Sequence, residues 1–406
     1  MINSSVNLTI GPGGARFTSS GKSMVIESQL TGTHPIRFGG GNGVFESEIY
    51  DVRLVNPTNT FTGPVQIGQA DMENRQSVII GIVADGSLGN PANVVTLGAT
   101  FFDGELTIST SGGLRAYADL AIPATRVIQL QGEGAVIDSN GRDFTIAPPI
   151  SELSSGKTLL KIGQGSLILN GASTYTGETL IRTGTLGGSG SVAGRLAFES
   201  GTTLAPGTPS AIGTLTCAEL EMESDSTYAV NLASGAGADR LVVTSEVSIV
   251  PAAALLIQPT GPVTKDDVFI ILQKSGTAPV SGTFQQTTPF TSGGVQWSIN
   301  YSGGDGNDIT LTALTASAAA TSPPVLSNLI VTPARPGSPS SISASLTGGP
   351  PNTSVFLEAS SDLGQLDPWE TLLTIPLDAT GSATLTNVTD PNSNALPRNF
   401  FRLRLP

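Results

Sequence analysis

The chain has 406 residues, of which 49 are glycine and only 13% are charged, and its formal net charge is -13. An acidic, lysine-poor surface argues against binding to nucleic acid or to an anionic membrane, because both need basic patches. The single cysteine excludes an internal disulfide, and no apolar run is long enough for a transmembrane helix.

The first residues, MINSSVNLTIG, have neither the basic start nor the apolar core of a secretion signal. If the protein is extracellular, we therefore expect its signal to lie upstream of this sequence or to have been removed. The repeat described next begins at Leu8, and we expect no room for a cap before it. The abundance of Gly, Ser and Thr over helix-forming residues predicts an almost all-β protein.

Two pairs of segments align without gaps. Leu8–Ile26 aligns with Ile128–Ile146 at an offset of 120 residues, and Arg53–Ile67 aligns with Leu167–Ile181 at an offset of 114. Both pairs share glycines and keep their apolar positions in step. A long unit therefore occurs twice, and repetition of strand–turn units predicts a solenoid.

The stretch 161–187, KIGQGSLILNGASTYTGETLIRTGTLG, shows the pattern most clearly. Apolar residues alternate over a few positions and are interrupted by Gly or Asn, which is typical of very short strands joined by tight turns. Recurrence of equivalent apolar positions favours stacked parallel coils over antiparallel hairpins, with Leu169 facing inward. Asn56 and Asn170 share one repeat position, where Asn is equally consistent with a stacked amide ladder and with a simple turn.

These residues resemble a known family. GQGSLILNGASTYTGETLIRTGTL and the more degenerate NTFTGPVQI and ADGSLGNPANVVTLGA resemble the autotransporter-associated β-strand repeat, also called the passenger-associated transport repeat. The segments GADRLVVTSEVSI, DDVFIILQKSG, VSGTF and YSGGDGNDITLTAL resemble the closing part of such passenger regions. The resemblance implies a right-handed parallel β-helix outside a bacterial cell. The 92 residues after position 314 are too few for the membrane-inserted C-terminal domain of that family, so we expect no self-translocation.

The remainder of the chain has a different pattern. ALTASAAATSPP (313–324) is typical of a linker, and six to seven candidate strands after Val325 predict a small β-sandwich. This tail loosely resembles C-terminal domains of secreted verrucomicrobial and planctomycete proteins, which implies surface sorting or attachment. We therefore divide the chain into a β-helix over 1–250, a closing β segment over 251–314, a linker over 315–324 and a sandwich over 325–406.

Few residues suggest chemistry. His34, the only histidine, precedes a proline in a predicted turn, and Cys217 is expected to be a small buried hydrophobe. A Cys–His pair needs the two side chains within hydrogen-bond reach, and they lie far apart in the predicted solenoid. One His and one Cys also argue against a zinc site.

Three further features have both a functional and a structural interpretation. Glu219, Glu221 and Glu223 alternate with apolar residues, which predicts a solvated strand face more strongly than a cation or polysaccharide contact. Gly303–Leu311 fits the calcium-binding nonapeptide except at Thr310, but a single copy lacks the neighbours that complete such sites, and a tight turn is favoured. Trp297 and Trp369 are expected in a core rather than against a sugar.

We therefore predict a non-enzymatic structural protein: a rigid extracellular or cell-surface stalk or fibre subunit, continued or self-associated through open β-helix ends, with a sandwich for attachment. No catalytic, cofactor-binding or metal-binding residue is assigned, no cofactor is expected, and neither nucleic acid nor a membrane span is expected. The alternatives are a polysaccharide-active β-helix enzyme and a calcium- or glycan-binding adhesin.

Overall fold

The computed structural model describes residues 6–19, 23–40, 50–68, 78–99, 112–208, 211–317, 325–332, 341–347, 354–360, 370–378, 382–389 and 400–404. Within these residues the protein is all-β, with 41 strands numbered in chain order and one short 3₁₀ helix at Asp85–Leu88. The chain forms two compact units, Met1–Thr315 (unit 1) and Ala316–Pro406 (unit 2). The prediction of an all-β protein is confirmed.

The longest sheet of unit 1, sheet 1, is parallel throughout. Its eleven strands follow one another in chain order: β3 (Ser23–Ile26), β6 (Tyr50–Leu54), β8 (Val78–Ile82), β10 (Gly112–Ala116), β13 (Gly134–Asp138), β16 (Thr158–Ile162), β19 (Thr179–Ile181), β22 (Arg195–Phe198), β25 (Glu219–Met222), β29 (Val247–Ile249) and β32 (Ser281–Gly282).

Apart from β1 and β2, which precede β3, the strands of two further, mainly parallel sheets lie between consecutive strands of sheet 1 along the chain. Sheet 2 contains β11 (Leu120–Ile122), β14 (Arg142–Ile146), β17 (Gly165–Leu169), β20 (Thr185–Gly188), β23 (Thr203–Pro206), β26 (Thr227–Ala233), β27 (Gly237–Ala238) and β30 (Ala254–Pro259). Sheet 3 contains β2 (Ala15–Ser19), β5 (Ile36–Gly40), β7 (Val65–Ile67), β9 (Val94–Ala99), β12 (Val127–Gly132) and β15 (Ile150–Glu152), and β1 (Leu8–Ile10) pairs in parallel with β4 (Leu30–Gly32).

Sheet 4 begins parallel and ends antiparallel. Its strands are β18 (Ala172–Ser173), β21 (Ser191–Val192), β24 (Thr214–Cys217), β28 (Arg240–Val243), β31 (Val268–Lys274), β35 (Asp308–Ala313), β34 (Val295–Gly303) and β33 (Phe290–Ser292).

The chain runs through these sheets in a recurring order. We call each set of strands, from one strand of sheet 1 up to the next strand of sheet 1, a pass. One pass is β13, β14 and β15, and the next is β16, β17 and β18; β13 pairs in parallel with β16 and β14 with β17. Side chains at paired positions therefore lie in rows along the stack. One inward row of sheet 1 contains Leu114, Ile137, Lys161, Ile181 and Phe198, all at most 1% exposed.

These rows form one hydrophobic core cluster that runs from Ile10 to Ala313. Each fully buried aliphatic side chain contributes roughly 1.5–3 kcal/mol to folding. Because every pass adds a few such side chains, stability comes from stacking of neighbouring passes rather than from any single strand pair. Leu169 is 1% exposed in this core, which confirms its predicted inward face.

The two aligned segment pairs do not occupy the same sheets. Leu54 lies in sheet 1 and its aligned residue Ile168 in sheet 2, whereas Val65–Ile67 lies in sheet 3 and Thr179–Ile181 in sheet 1. The offset corresponds to four passes plus one strand. Among the described residues, the passes before β10 contain no sheet 2 strand, and the passes differ in length. The sequence repeat therefore preserves a strand–turn–strand pattern but not a position in the stack.

The turns of these copies are nevertheless equivalent locally. Phe61 and Tyr175 are both 0% exposed. A Cβ atom on Gly63 would lie 2.0 Å from the His34 carbonyl oxygen, and one on Gly177 would lie 2.4 Å from the Lys157 carbonyl oxygen. Both glycines are thus required by close contact with the backbone of the preceding pass.

Unit 2 contains two antiparallel three-stranded sheets in its described residues. One is β36 (Val325–Thr332), β37 (Ser341–Thr347) and β40 (Ala383–Thr389); the other is β39 (Glu370–Pro376), β38 (Ser354–Ser360) and β41 (Phe400–Arg404). Both contribute to one hydrophobic cluster, which includes Leu346 and Leu385 from the first sheet and Leu357 and Ile375 from the second. These six strands agree with the six to seven candidate strands expected after Val325.

Candidate functional site

His34 and Cys217 lie on widely separated passes. His34 is half-buried just before β5, where its Nδ1 lies 3.4 Å from the Thr33 hydroxyl. Cys217 is 1% exposed in β24, and burial raises the pKa of its thiol to about 12. Since β5 follows the first strand of sheet 1 and β24 the eighth, roughly 34 Å of stacked strands separate them at about 4.8 Å per strand.

The glutamates of β25 point outward, as predicted. Leu220 and Met222 are buried at 2% and 0% exposure, while the alternating glutamates remain accessible. Arg195 of the preceding pass donates from Nη1 to Glu221 Oε2 at 2.6 Å and from Nε to Glu178 Oε2 at 2.9 Å. These bonds, led by the one to Glu178, raise the pKa of Arg195, so the acidic face is part of a cross-pass ion-pair ladder.

The nonapeptide-like segment is a hairpin turn between β34 and β35, as the favoured interpretation predicted. Gly303 pairs with Asp308, and the Gly306 N–H donates to the Gly303 carbonyl at 2.8 Å. Asp308 Oδ1 accepts the backbone N–H of Lys274 at 2.9 Å, so this carboxylate anchors β31. Over the described ranges, no group of three or more His, Cys, Asp or Glu side chains is arranged to hold a metal ion.

The tryptophans and the paired asparagines have structural contacts where they are described. Trp297 is 0% exposed, and its indole N–H donates to the Ser292 carbonyl at 3.0 Å, which confirms its core role; Trp369 lies outside the described residues. Asn56 Oδ1 accepts from the Thr58 N–H at 2.9 Å, and Asn170 Oδ1 accepts from the Ser189 N–H at 3.0 Å. Both satisfy nearby backbone instead of forming an amide ladder with each other.

Two basic residues that are at most 1% exposed were not anticipated from the sequence. Lys161 occupies an inward position, and its amine donates to Ser139 Oγ at 2.7 Å and to the Thr183 carbonyl at 2.9 Å, with further bonds to three backbone carbonyls. Arg126 has a fully buried side chain that binds both carboxylate oxygens of Asp85 and several carbonyls around the 3₁₀ helix. Neither residue stands out in the sequence, because only the register of the passes reveals which positions face inward.

Part of the C-terminal end of unit 1 is covered, although β32, the last strand of sheet 1, pairs on one side only among the described residues. The antiparallel strands β33–β35 extend sheet 4 beyond β31. On the outer side of β30, the Gln286 side-chain amide bonds both the N–H and the carbonyl of Leu255 at 3.0 Å, and the Ser292 hydroxyl does the same for Ile257. Side chains therefore replace a neighbouring strand here and satisfy the backbone groups of this edge.

The opposite end is an edge formed by β1, β2 and β3, which we call the open edge. Each of these strands pairs on one side only among the described residues. The Leu8 N–H donates to the Gln29 carbonyl, and the Ile26 carbonyl accepts from the Val55 N–H, so the backbone groups of Leu8 and Ile26 point into the stack. Because backbone direction alternates along a strand, the N–H and carbonyl groups of the neighbouring Thr9 and Val25 point away from the stack. Leu8, Phe17 and Met24 are only partly buried against the core, and this combination of exposed backbone and apolar side chains is the candidate interaction site.

No family model matches the chain. No curated protein matches it either. Among the described residues, the structure contains no helix with the length and hydropathy needed to cross a membrane.

Proposed function

We propose that unit 1 is a right-handed parallel β-helix that serves as a rigid structural element, and that unit 2 is a small β-sandwich. The recurring order of strands, the parallel pairing between consecutive passes and the single continuous core support the first statement. The shared hydrophobic cluster of two antiparallel sheets supports the second. Eleven stacked strands at about 4.8 Å correspond to a rod of roughly 48 Å.

An extracellular location, at a bacterial cell surface, belongs to the same proposal. It is supported by the resemblance of GQGSLILNGASTYTGETLIRTGTL to the autotransporter-associated repeat. No observation on the described residues favours the enzymatic alternative or the calcium-binding one.

The difference between the two ends of unit 1 is the observation that carries the functional proposal. The open edge offers backbone groups and apolar side chains on three strands, whereas at the C-terminal end side chains cover the β30 edge and antiparallel strands extend sheet 4. A head-to-tail polymer needs two complementary open ends. We therefore infer that the open edge is continued by another β-stacked segment or pairs with the same edge of a second copy, which closes as a two-fold dimer.

Sedimentation velocity over a concentration series, together with negative-stain electron microscopy, tests this proposal. We expect rods of at least the length of unit 1 and a concentration-dependent shift to dimers. Val25→Pro should abolish the dimer and leave the fold intact, since the Val25 N–H faces away from β6. Met24→Pro is the matched control and should destabilise the fold, because its N–H faces β6.

Compact particles without a rod would refute the structural role. Rods that stay monomeric at every concentration would refute pairing between copies and leave only continuation by another segment.

A further inference from the structure

The turn after β17 contains an asparagine followed by a glycine. Asparagine is a thermolabile residue, and a following glycine, which has no Cβ, leaves the backbone nitrogen least hindered toward the asparagine side chain. The sequence has this pair at Asn42, Asn140 and Asn170, of which Asn42 lies outside the described residues. The other two are exposed, so their difference lies in hydrogen bonding rather than in access to water.

The Asn140 pair is held by two hydrogen bonds that cyclisation would have to break. Asn140 donates from Nδ2 to the Ala116 carbonyl at 3.0 Å, and the Gly141 N–H donates to the Gln164 carbonyl at 2.5 Å. Both the nucleophile and the leaving group of this pair are therefore engaged with neighbouring passes.

The Asn170 pair is much less constrained. Among the described residues, the Gly171 N–H has no hydrogen-bond acceptor. The Asn170 side chain has one bond, in which its Oδ1 accepts the Ser189 N–H at 3.0 Å, and its Nδ2 has none within the same part of the chain. The attacking nitrogen and the leaving amide are thus both unengaged.

The fold itself requires glycine at this position. A Cβ on Gly171 would lie 2.3 Å from the Pro148 carbonyl oxygen, so a larger residue that slows cyclisation does not fit. The aligned Asn56 is followed by Pro57, whose nitrogen carries no hydrogen and cannot form the ring. The two copies of the repeat therefore differ in their chemistry.

We propose that Asn170 is a site of spontaneous deamidation in the folded protein. The Gly171 nitrogen attacks Cγ of Asn170, the Cγ–Nδ2 bond breaks, and ammonia leaves with the proton of the Gly171 N–H. Water then opens the cyclic imide at either carbonyl and gives aspartate or isoaspartate at position 170. Solvent water is the only co-reactant.

Either product adds a negative charge, and isoaspartate also adds a methylene group to the main chain. The backbone at this turn bonds to both neighbouring passes: the Asn170 N–H donates to the Ile146 carbonyl at 3.1 Å, and the Gly171 carbonyl accepts from the Ser191 N–H at 3.0 Å. The longer main chain displaces these bonds, so the modification accumulates with age at a contact between passes. It does not depend on how unit 1 associates.

Peptide mapping of the full-length protein tests the proposal. Samples are kept at mildly alkaline pH, either folded in buffer or unfolded in guanidinium chloride, and are then digested with trypsin. Cleavage after Arg126 and Arg142 isolates Asn140, and cleavage after Lys161 and Arg182 isolates Asn170. Mass spectrometry and isoaspartate detection follow each position over time.

In the folded protein, Asn170 should react at least about threefold faster than Asn140, because one more hydrogen bond must break at Asn140. In guanidinium chloride the two rates should be similar, since both pairs are Asn–Gly. Isoaspartate should appear at position 170, and its rate of formation should rise with pH because the attacking nitrogen loses a proton. Asn56 is the internal control and should form no isoaspartate.

Three results would overturn the proposal. One is an unmodified Asn170 in the folded protein when the unfolded sample has been converted. Another is a folded-state rate at Asn140 that equals or exceeds the rate at Asn170. The third is aspartate without isoaspartate at position 170, which would indicate direct hydrolysis of the side-chain amide instead of attack by the Gly171 nitrogen.

Discussion

The buried amine of Lys161 should make the free energy of unfolding depend on pH. It lies at 0% exposure in an inward row between Ile137 and Ile181. Burial lowers the pKa of its amine to about 8, with the charge of Asp138 acting in the opposite direction. The unfolded chain keeps a pKa of about 10.4, so between pH 8 and 10.5 the unfolded state binds the proton and the folded state releases it.

The sign follows from linkage. Stability rises with pH wherever the unfolded state binds more protons, so the free energy of unfolding should increase from pH 8 to 10.5. A difference of about 2.5 pKa units corresponds to about 3 kcal/mol across this window. Below pH 8 the amine is charged in both states, and this contribution is absent.

Lys161→Met removes the titrating group at similar length. The quantity to compare is the difference in unfolding free energy between the wild type and Lys161→Met. We expect this difference to increase by about 3 kcal/mol in favour of the wild type between pH 8 and 10.5, whatever its value at pH 7. Urea unfolding followed by tryptophan fluorescence measures this, with Trp369→Phe in both proteins so that only Trp297 of unit 1 reports. The subtraction cancels tyrosines such as Tyr301, whose raised pKa acts oppositely. Identical slopes for the two proteins would refute the description of Lys161 as a desolvated core amine.

Three further predictions concern the core and the edges. Leu169→Asp should prevent folding, because it places an unpaired charge in the core, whereas the control Leu153→Asp, at a 58% exposed position, should fold. Soluble yield and circular dichroism distinguish the two outcomes, and a folded Leu169→Asp variant would contradict the inward face of Leu169. Ser292→Ala should lower the free energy of unfolding by about 1–3 kcal/mol, because it leaves the N–H and carbonyl of Ile257 unpaired, with Thr291→Ala as a neutral control in the same urea titration. Arg126→Ala should lower the free energy of unfolding by about 3–5 kcal/mol, because Asp85 loses its buried partner. Arg142→Ala, at an exposed position, is the control in thermal melting, and an equal decrease in melting temperature for both variants would show that the Arg126–Asp85 pair does not stabilise the fold.

The sequence predicted the kind of structure better than its layout. Alternation of apolar residues in segments such as GSLILN correctly indicated very short strands, and Leu220, Met222 and Trp297 face inward as that alternation requires. The 114-residue and 120-residue offsets suggested equivalent positions, yet the aligned segments lie on different sheets. Local turn chemistry fixes the strand–turn pattern, whereas sheet assignment depends on the number of residues in every intervening loop.

The candidate sites depend still more on long-range register. Open ends were expected from the fold alone, but the sequence did not indicate that Gln286 and Ser292 cover the β30 edge, because their partners are backbone groups more than 30 residues away. Likewise Glu358 lies 44 and 46 residues before Arg402 and Arg404, and it meets them only through strand pairing. Only the alternation of Arg402 and Arg404 within FFRLRL gave a sequence signal, in that it places both on one strand face.

The central claim is that consecutive passes stack in parallel, and distances along sheet 1 test it most directly. Spin labels at exposed Ser23, Arg195 and Ser248, with Cys217→Ala to remove the native thiol, mark the first, eighth and tenth strands of that sheet. Double electron–electron resonance should give about 34 Å for the Ser23–Arg195 pair and about 43 Å for the Ser23–Ser248 pair, because each strand adds about 4.8 Å. Distances that do not increase with the number of intervening strands would contradict the stacked arrangement.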